Sequence, residues 1–151
     1  QKQETTPTWY GVFLESGEAT EVVDSLQFLW TGSWPENRAP SIRTFLLDGK
    51  TAAQNIYLMP GKIYPVKADV VQQDNQTYSV RWEALPESTD IRAGGDAEAR
   101  PKAVENIIVK DDGKGGMEFK APATPGAYRL FVYAITGHKK AAVANIPFYV
   151  R

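Results

Sequence analysis

The stretch PGAYRLFVYA, residues 125–134, constrains the fold more than any other part of this 151-residue chain. Its apolar side chains alternate along an extended backbone, which places one set on the same face of a strand: Tyr128, Leu130, Val132 and Ala134. The strand opens directly after a Pro-Gly turn, as strands often do. The stretch therefore predicts a central β-strand whose tyrosine begins an inward-facing apolar series.

The same alternation recurs through residues 37–151. Turn signals at Asp48-Gly49, Pro60-Gly61 and Asp74-Asn75 separate the first of these runs, and DDGKGG and TPG separate later ones. About seven or eight short strands divided in this way predict an all-β sandwich. A tyrosine after Pro-Gly suits the tyrosine corner of immunoglobulin-like folds, and Trp82 in YSVRWEAL suits their buried tryptophan. The alternative that remains is a different sandwich in which both are ordinary core aromatics.

Residues 1–36 have a different pattern of apolar residues, which does not alternate throughout. A short strand and turn fit TWYGVFLESG, and Thr20 then suits a helix N-cap. Apolar side chains follow at helical spacing, and Gly32 suits the helix stop, so we predict a helix over roughly residues 20–31. The apolar positions of this helix are Val22, Val23, Leu26, Leu29 and Trp30. SWPENRAP reads as a linker. The predicted domains are thus a strand–helix segment with its linker, 1–36, and an immunoglobulin-like sandwich, 37–151.

The composition argues against several classes of function. A net charge of -1 and a pI near 5.9 leave no basic field for nucleic acid, and no cationic or long apolar segment suits a membrane. The chain has no cysteine and a single histidine, His138, so thiolate and His-pair metal sites are excluded. Its acidic residues follow no acid/base spacing, and no G-x-S-x-G motif occurs. We therefore expect no catalytic residues, no metal and no cofactor.

A resemblance to a known family rests on several stretches taken together. NRAPSI, YSVRWE, RWEALPESTD, GGDAEARP and FKAPATPGAYRLFVYAITG resemble the PKD-like or cadherin-like C-terminal modules of bacterial secreted (β/α)-barrel glycoside hydrolases. The likeness covers about residues 37–151. TWYGVFLESGEATEVVDSLQFLWTG resembles the last strand and helix of such a barrel, which makes residues 1–36 a possible remnant of the preceding domain. The resemblance implies an extracellular, periplasmic or cell-surface location in a bacterium.

Aromatic and loop residues supply the candidate ligand-binding positions. Alternation turns Phe131 and Tyr133 to the side of the strand opposite Tyr128, where the helix, a neighbouring domain or a sugar would cover them. Trp34 either packs at the junction of helix and sandwich or presents a binding face. In the loop 86–102, which is too long for a plain connection, Arg92 and Asp96 would contact either a catalytic domain or a glycan.

The resemblance implies one of two functions. The first is a non-catalytic accessory module that supports and positions a covalently linked or neighbouring glycoside hydrolase domain. The second is a carbohydrate-binding module with its own aromatic face, whose partner is a polysaccharide. Fold alone does not separate them, because one sandwich hosts many functions. What covers Phe131 and Tyr133 decides whether that face is open to a sugar.

Overall fold

The computed structural model describes residues 12–90 and 99–151. One helix precedes eight strands in chain order. The elements are α1 (Glu21–Thr31), β1 (Ser41–Leu47), β2 (Tyr57–Leu58), β3 (Ile63–Val71), β4 (Tyr78–Pro86), β5 (Ile108–Asp111), β6 (Gly116–Lys120), β7 (Gly126–Thr136) and β8 (Ala141–Val150). Within the part of the chain that is described, no helix is both long enough and apolar enough to cross a membrane.

The strands form two four-stranded sheets. One has the order β1-β3-β6-β5 and the other the order β2-β8-β7-β4. Neighbouring strands are antiparallel except for β2 and β8, which run parallel. This arrangement confirms the predicted all-β, immunoglobulin-like sandwich preceded by a short helical segment. The domain boundary near residue 36 stays a prediction.

The core lies between the inner faces of the two sheets. Its fully buried side chains come from both sheets and are largely those that the alternation turned inward. The largest of them are Leu47, Leu58, Phe119, Leu130, Val132, Ile146 and Val150. Trp82 is buried among them, as predicted, and its indole N–H donates to a carboxylate oxygen of Asp111 at 3.1 Å.

Tyr128 forms the predicted tyrosine corner. Its ring is buried and stacks on Phe148 with the ring centroids 5.6 Å apart. Its hydroxyl donates to the backbone carbonyl of Thr124, four residues upstream, at 2.9 Å. The bond closes the turn that leads into β7, so the tyrosine fixes where the central strand begins.

We expect Tyr128→Phe to lower the free energy of unfolding by about 1 kcal/mol, because it removes this hydrogen bond and keeps the ring. Denaturant titration measures the loss. Tyr149→Phe is the matched control, since Tyr149 is half exposed, and its stability should stay within about 0.5 kcal/mol of the parent protein. Equal losses in the two variants would show that the corner bond does not stabilise the fold.

The helix lies within one residue of its predicted position. Thr20 is the N-cap, and Gly32 adopts a left-handed conformation (φ 74°) from which its N–H donates to the carbonyl of Phe28 at 2.8 Å. The residues before it are attached to the end of the β7–β8 hairpin, where the backbone of Ala19 donates to Lys139 and accepts from Ala141. The helix is thus anchored beside the hairpin tip.

Two carboxylates hold the linker between helix and sandwich. Asp24 is completely buried; its carboxylate accepts from the backbone N–H of Ala39 at 2.6 Å and forms an ion pair with the ammonium of Lys140. Asp74, in the β3–β4 turn, accepts from the backbone N–H of Arg38 at 3.0 Å. The buried contacts of Asp24 therefore set the orientation of the helix, and the half-buried Asp74 holds the linker that follows it.

Candidate functional site

An apolar surface on the helix, the α1 patch, is formed by Val22, Leu26, Leu29 and Trp30. Leu29 and Trp30 are 74% and 78% exposed, Val22 is exposed and Leu26 is half-buried. The expectation that this stripe docks on the outer face of β7 is wrong, because the stripe points away from the sandwich. The patch is instead an unpartnered surface of the described part of the chain.

The position of Asp24 explains this orientation. With 3.6 residues per turn, Asp24 lies about 200° around the helix from Val22, on the side opposite the patch. That side faces the sandwich, where Lys140 and the N–H of Ala39 bind the carboxylate. Burying a carboxylate is tolerated only with such partners, so its pairing fixes the inward side of the helix. The apolar stripe, on the opposite side of the helix, therefore faces away from the sandwich.

Trp34 packs at the junction of the helix and the linker. Its ring stacks on Phe28, with centroids 4.5 Å apart and planes inclined by 14°, and the Arg38 guanidinium carbon lies 3.9 Å from the ring centroid. The indole is in contact with both groups, and 43% of the residue is exposed. Of the two roles predicted for Trp34, the contacts correspond to packing, and they brace the C-terminal end of α1.

Phe131 and Tyr133 belong to a buried cluster on the outer face of the second sheet. They are 0% and 2% exposed and pack with Leu14, Leu85 and Ala141. The cover comes from the turn before α1 and from neighbouring strands, not from the helix. The two rings have no open face, which corrects their predicted role in stacking on a sugar.

A network of hydrogen-bonded polar side chains lies at the border of this buried cluster. The Tyr133 hydroxyl donates to Glu83 at 3.0 Å, and Arg100 donates to Glu83 at 2.7 Å and to Glu15 at 2.8 Å. Burial raises the pKa of the Tyr133 hydroxyl well above its ordinary value, and the negative charge of Glu83 adds to the rise. The phenol therefore stays protonated and acts as a donor. These contacts join the loop before β5 to the turn before α1.

Of the predicted loop residues, Arg92 and Asp96 lie outside the described residues. The described end of the same loop, at Arg100, contacts this protein's own surface.

A cleft of about 430 Å³ opens between the edge strands β4 and β5. Its walls include Arg81, Trp82 and Ile108, and Glu83 is the one carboxylate among the described residues that line it. Glycoside hydrolysis requires two facing carboxylates, and Glu83 is already bound by Arg100 and Tyr133. This cleft thus lacks the residue pair for that reaction. The described residues also contain no cluster of three or more acidic or histidine side chains suited to a metal.

The sequence did not identify the residues whose contacts turn the α1 patch toward solvent. An aspartate on the polar side of an amphipathic helix is ordinary, so nothing local marked Asp24 as buried. Phe28 and Arg38 likewise carried no signal as partners of Trp34. A stripe of Val, Leu and Trp was visible, but its direction depends on Lys140, at the far end of the chain.

Comparison with known proteins assigns no family to this chain. No protein-family model and no curated protein matches the chain. A nucleoside hydrolase-related hypothetical protein from Saccharophagus degradans, described as associated with carbohydrate metabolism, matches 76% of this chain at 11% identity and a TM-score of 0.44. The copper resistance protein PcoC from Escherichia coli matches 73% of this chain and 98% of its own at 14% identity and a TM-score of 0.36. The chain spans 26% of the length of the Saccharophagus protein.

Proposed function

We propose that this chain is a non-catalytic accessory module that packs against a neighbouring catalytic domain through the α1 patch. The single observation that carries the proposal is the outward direction of that patch. A soluble domain rarely exposes adjacent large apolar side chains without using them, and contiguous apolar surface marks an interaction site. The module would support and position the domain that covers the patch.

The chemistry of the patch favours a protein partner over a sugar. Three of its four side chains are aliphatic, and the indole N–H of Trp30 is the one polar group that the four side chains carry. Fully burying one such side chain contributes about 1.5–3 kcal/mol, so a partner that covers Leu29 and Trp30 gains considerably. Docking of a helix in an apolar groove uses this spacing of anchors.

The patch is also held rigidly, which favours docking. Asp24 fixes the inner side of α1, and Trp34, in contact with Phe28 and Arg38, braces its end. A preorganised surface loses little conformational entropy when a partner binds. The identity of the partner rests on the resemblance of residues 37–151 to modules of bacterial secreted glycoside hydrolases. The proposed partner is therefore such a hydrolase domain, outside the cytoplasm.

The double substitution Leu29→Ser/Trp30→Ser tests this proposal. In the isolated chain we expect its free energy of unfolding to stay within about 0.5 kcal/mol of the parent protein, because both side chains are already exposed. In the polypeptide encoded by the complete reading frame, we expect backbone amides 22–30 to be protected from hydrogen exchange relative to the isolated chain. The double variant should lose that protection.

Met59→Ser is the matched control, since Met59 is an exposed apolar residue away from α1, and it should leave the exchange unchanged. Protection of residues 22–30 by a domain other than a hydrolase would overturn the assignment of the partner. Equal exchange at residues 22–30 in the isolated chain and in the complete polypeptide would overturn the docking itself.

A further inference from the structure

A second exposed surface lies on the outer face of the sheet β2-β8-β7-β4. Tyr57 on β2 and Tyr149 on β8 are directly paired in register, and they are 47% and 48% exposed. Tyr149 is paired on its other side with Ala127 on β7, whose carbonyl accepts from the backbone N–H of Glu87 at the end of β4. These four residues, the tyrosine row, cross all four strands of the sheet.

The row has the shape of a shallow binding surface. Neighbouring strands are about 4.8 Å apart, so its four positions span about 14 Å. Ala127 has the smallest side chain of the four, so the surface is depressed between Tyr149 and Glu87. The Arg151 guanidinium carbon lies 3.7 Å from the centroid of the Tyr57 ring and steadies that ring at the end of the row.

Fixed polar groups border the row. Arg129 donates to one carboxylate oxygen of Glu87 from Nε at 2.9 Å, with Nη2 at 2.8 Å from the same oxygen. It also donates through Nη1 to the amide oxygen of Asn145 at 2.8 Å. Among the described residues, the second oxygen of Glu87 and the amide N–H groups of Asn145 have no protein partner. Asn145 lies four residues before Tyr149, about 13 Å along β8. Of these unpaired groups, it is therefore the second oxygen of Glu87 that lies at the row as an acceptor for a ligand.

We propose that the tyrosine row binds a neutral oligosaccharide, laid across the strands. Aromatic rings suit the apolar C–H faces of pyranose sugars, while the Glu87 carboxylate suits their hydroxyl groups. The guanidinium of Arg129 is paired with Glu87, and Arg151 adds one positive charge at the Tyr57 end of the row. A single cation does not supply the positive field that a polyanion requires. The row also lacks the aliphatic side chains that suit the α1 patch to a protein partner.

The position of the row makes this function compatible with docking at α1. The helix is attached next to Ala141 at the start of β8, and Tyr149 lies eight residues further along that strand. At about 3.3 Å per residue, Ala141 and Tyr149 are roughly 26 Å apart, so the helix and the row lie toward opposite ends of the sheet. A module with both surfaces occupied would hold a catalytic domain beside its polysaccharide. Glycan binding at the row does not depend on the proposed docking.

Native gels cast with soluble neutral polysaccharides, namely a mixed-linkage β-glucan, xylan and glucomannan, test the proposal on the whole chain. We expect retardation in at least one of them. Tyr57→Ala and Tyr149→Ala should each weaken the affinity at least about tenfold, whereas Tyr149→Phe, which keeps the ring, should stay within about threefold. Trp30→Ala is the control for the other surface and should bind like the parent protein.

Amide chemical-shift changes on adding the retarding polysaccharide locate the site without any substitution, and we expect them to centre on residues 57, 127 and 149. Three results would overturn the proposal. They are unchanged mobility in every polysaccharide, retardation that both alanine variants retain, and shift changes centred on α1. If no polysaccharide retards the protein, and the protein is instead a dimer that becomes monomeric in Tyr149→Ala, the row would be assigned to self-association. None of these results would affect the test of docking at α1.

Discussion

We expect Asp24→Ala to lower the free energy of unfolding by about 3–5 kcal/mol, because it removes one partner of a buried ion pair. Asp24 has no exposed surface, and the side chain of Lys140 is only 15% exposed. Without the carboxylate, an ammonium and the backbone N–H of Ala39 are left buried without their acceptor. Denaturant titration followed by circular dichroism measures the loss.

Glu21→Ala is the matched control on the same helix. Glu21 is half exposed and lies 3.9 Å from Arg38, so its removal should change stability by about 0–1 kcal/mol. The double variant Asp24→Leu/Lys140→Met replaces the whole pair by apolar side chains and should be more stable than Asp24→Ala. If Asp24→Ala lost no more stability than Glu21→Ala, the pair would not fix the helix.

The same ion pair shows where sequence reasoning reaches its limit. Helical spacing located α1 to within one residue, because both the stop at Gly32 and the apolar period are local signals. The period also identified which side of the helix is apolar. It did not show which side faces the sandwich, since that depends on Lys140, 116 residues away along the chain.

The outer face of the sheet β2-β8-β7-β4 leads to the same conclusion. Local alternation predicted which way a side chain points, but the residues that contact it come from distant parts of the chain. Alternation along β7 gave the inward series correctly, and with it the tyrosine corner at Tyr128. It also turned Phe131 and Tyr133 outward, but it did not show that Leu14 would cover them. Alternation in NIPFYV equally turns Tyr149 outward, between buried Phe148 and Val150. Its pairing with Tyr57 needed the parallel contact between β2 and β8, for which the sequence holds no turn signal.

Gly115→Ala should destabilise the sandwich as strongly as the loss of Asp24. Gly115 lies in the turn between β5 and β6 with φ +119°, and a Cβ built there would come 2.3 Å from the backbone oxygen of Ala68 on β3. The carbonyl of Gly115 also accepts from the N–H of Ala68 at 2.7 Å, so the turn is bonded tightly against that strand. Backbone strain of about 1–3 kcal/mol and a steric clash of about 1–3 kcal/mol would add, giving a loss of about 2–6 kcal/mol.

Gly113→Ala, two residues earlier in the same turn, separates the two contributions. Gly113 also has a positive φ, +67°, but nothing lies within 4 Å of the Cβ position. Only the left-handed conformation opposes alanine there, so we expect a loss of about 1–2 kcal/mol. Thermal and denaturant unfolding of both variants measure the difference. Similar losses would mean that the turn can move away from β3, whereas a much larger loss at Gly115 would show that close approach to Ala68 requires glycine at this position.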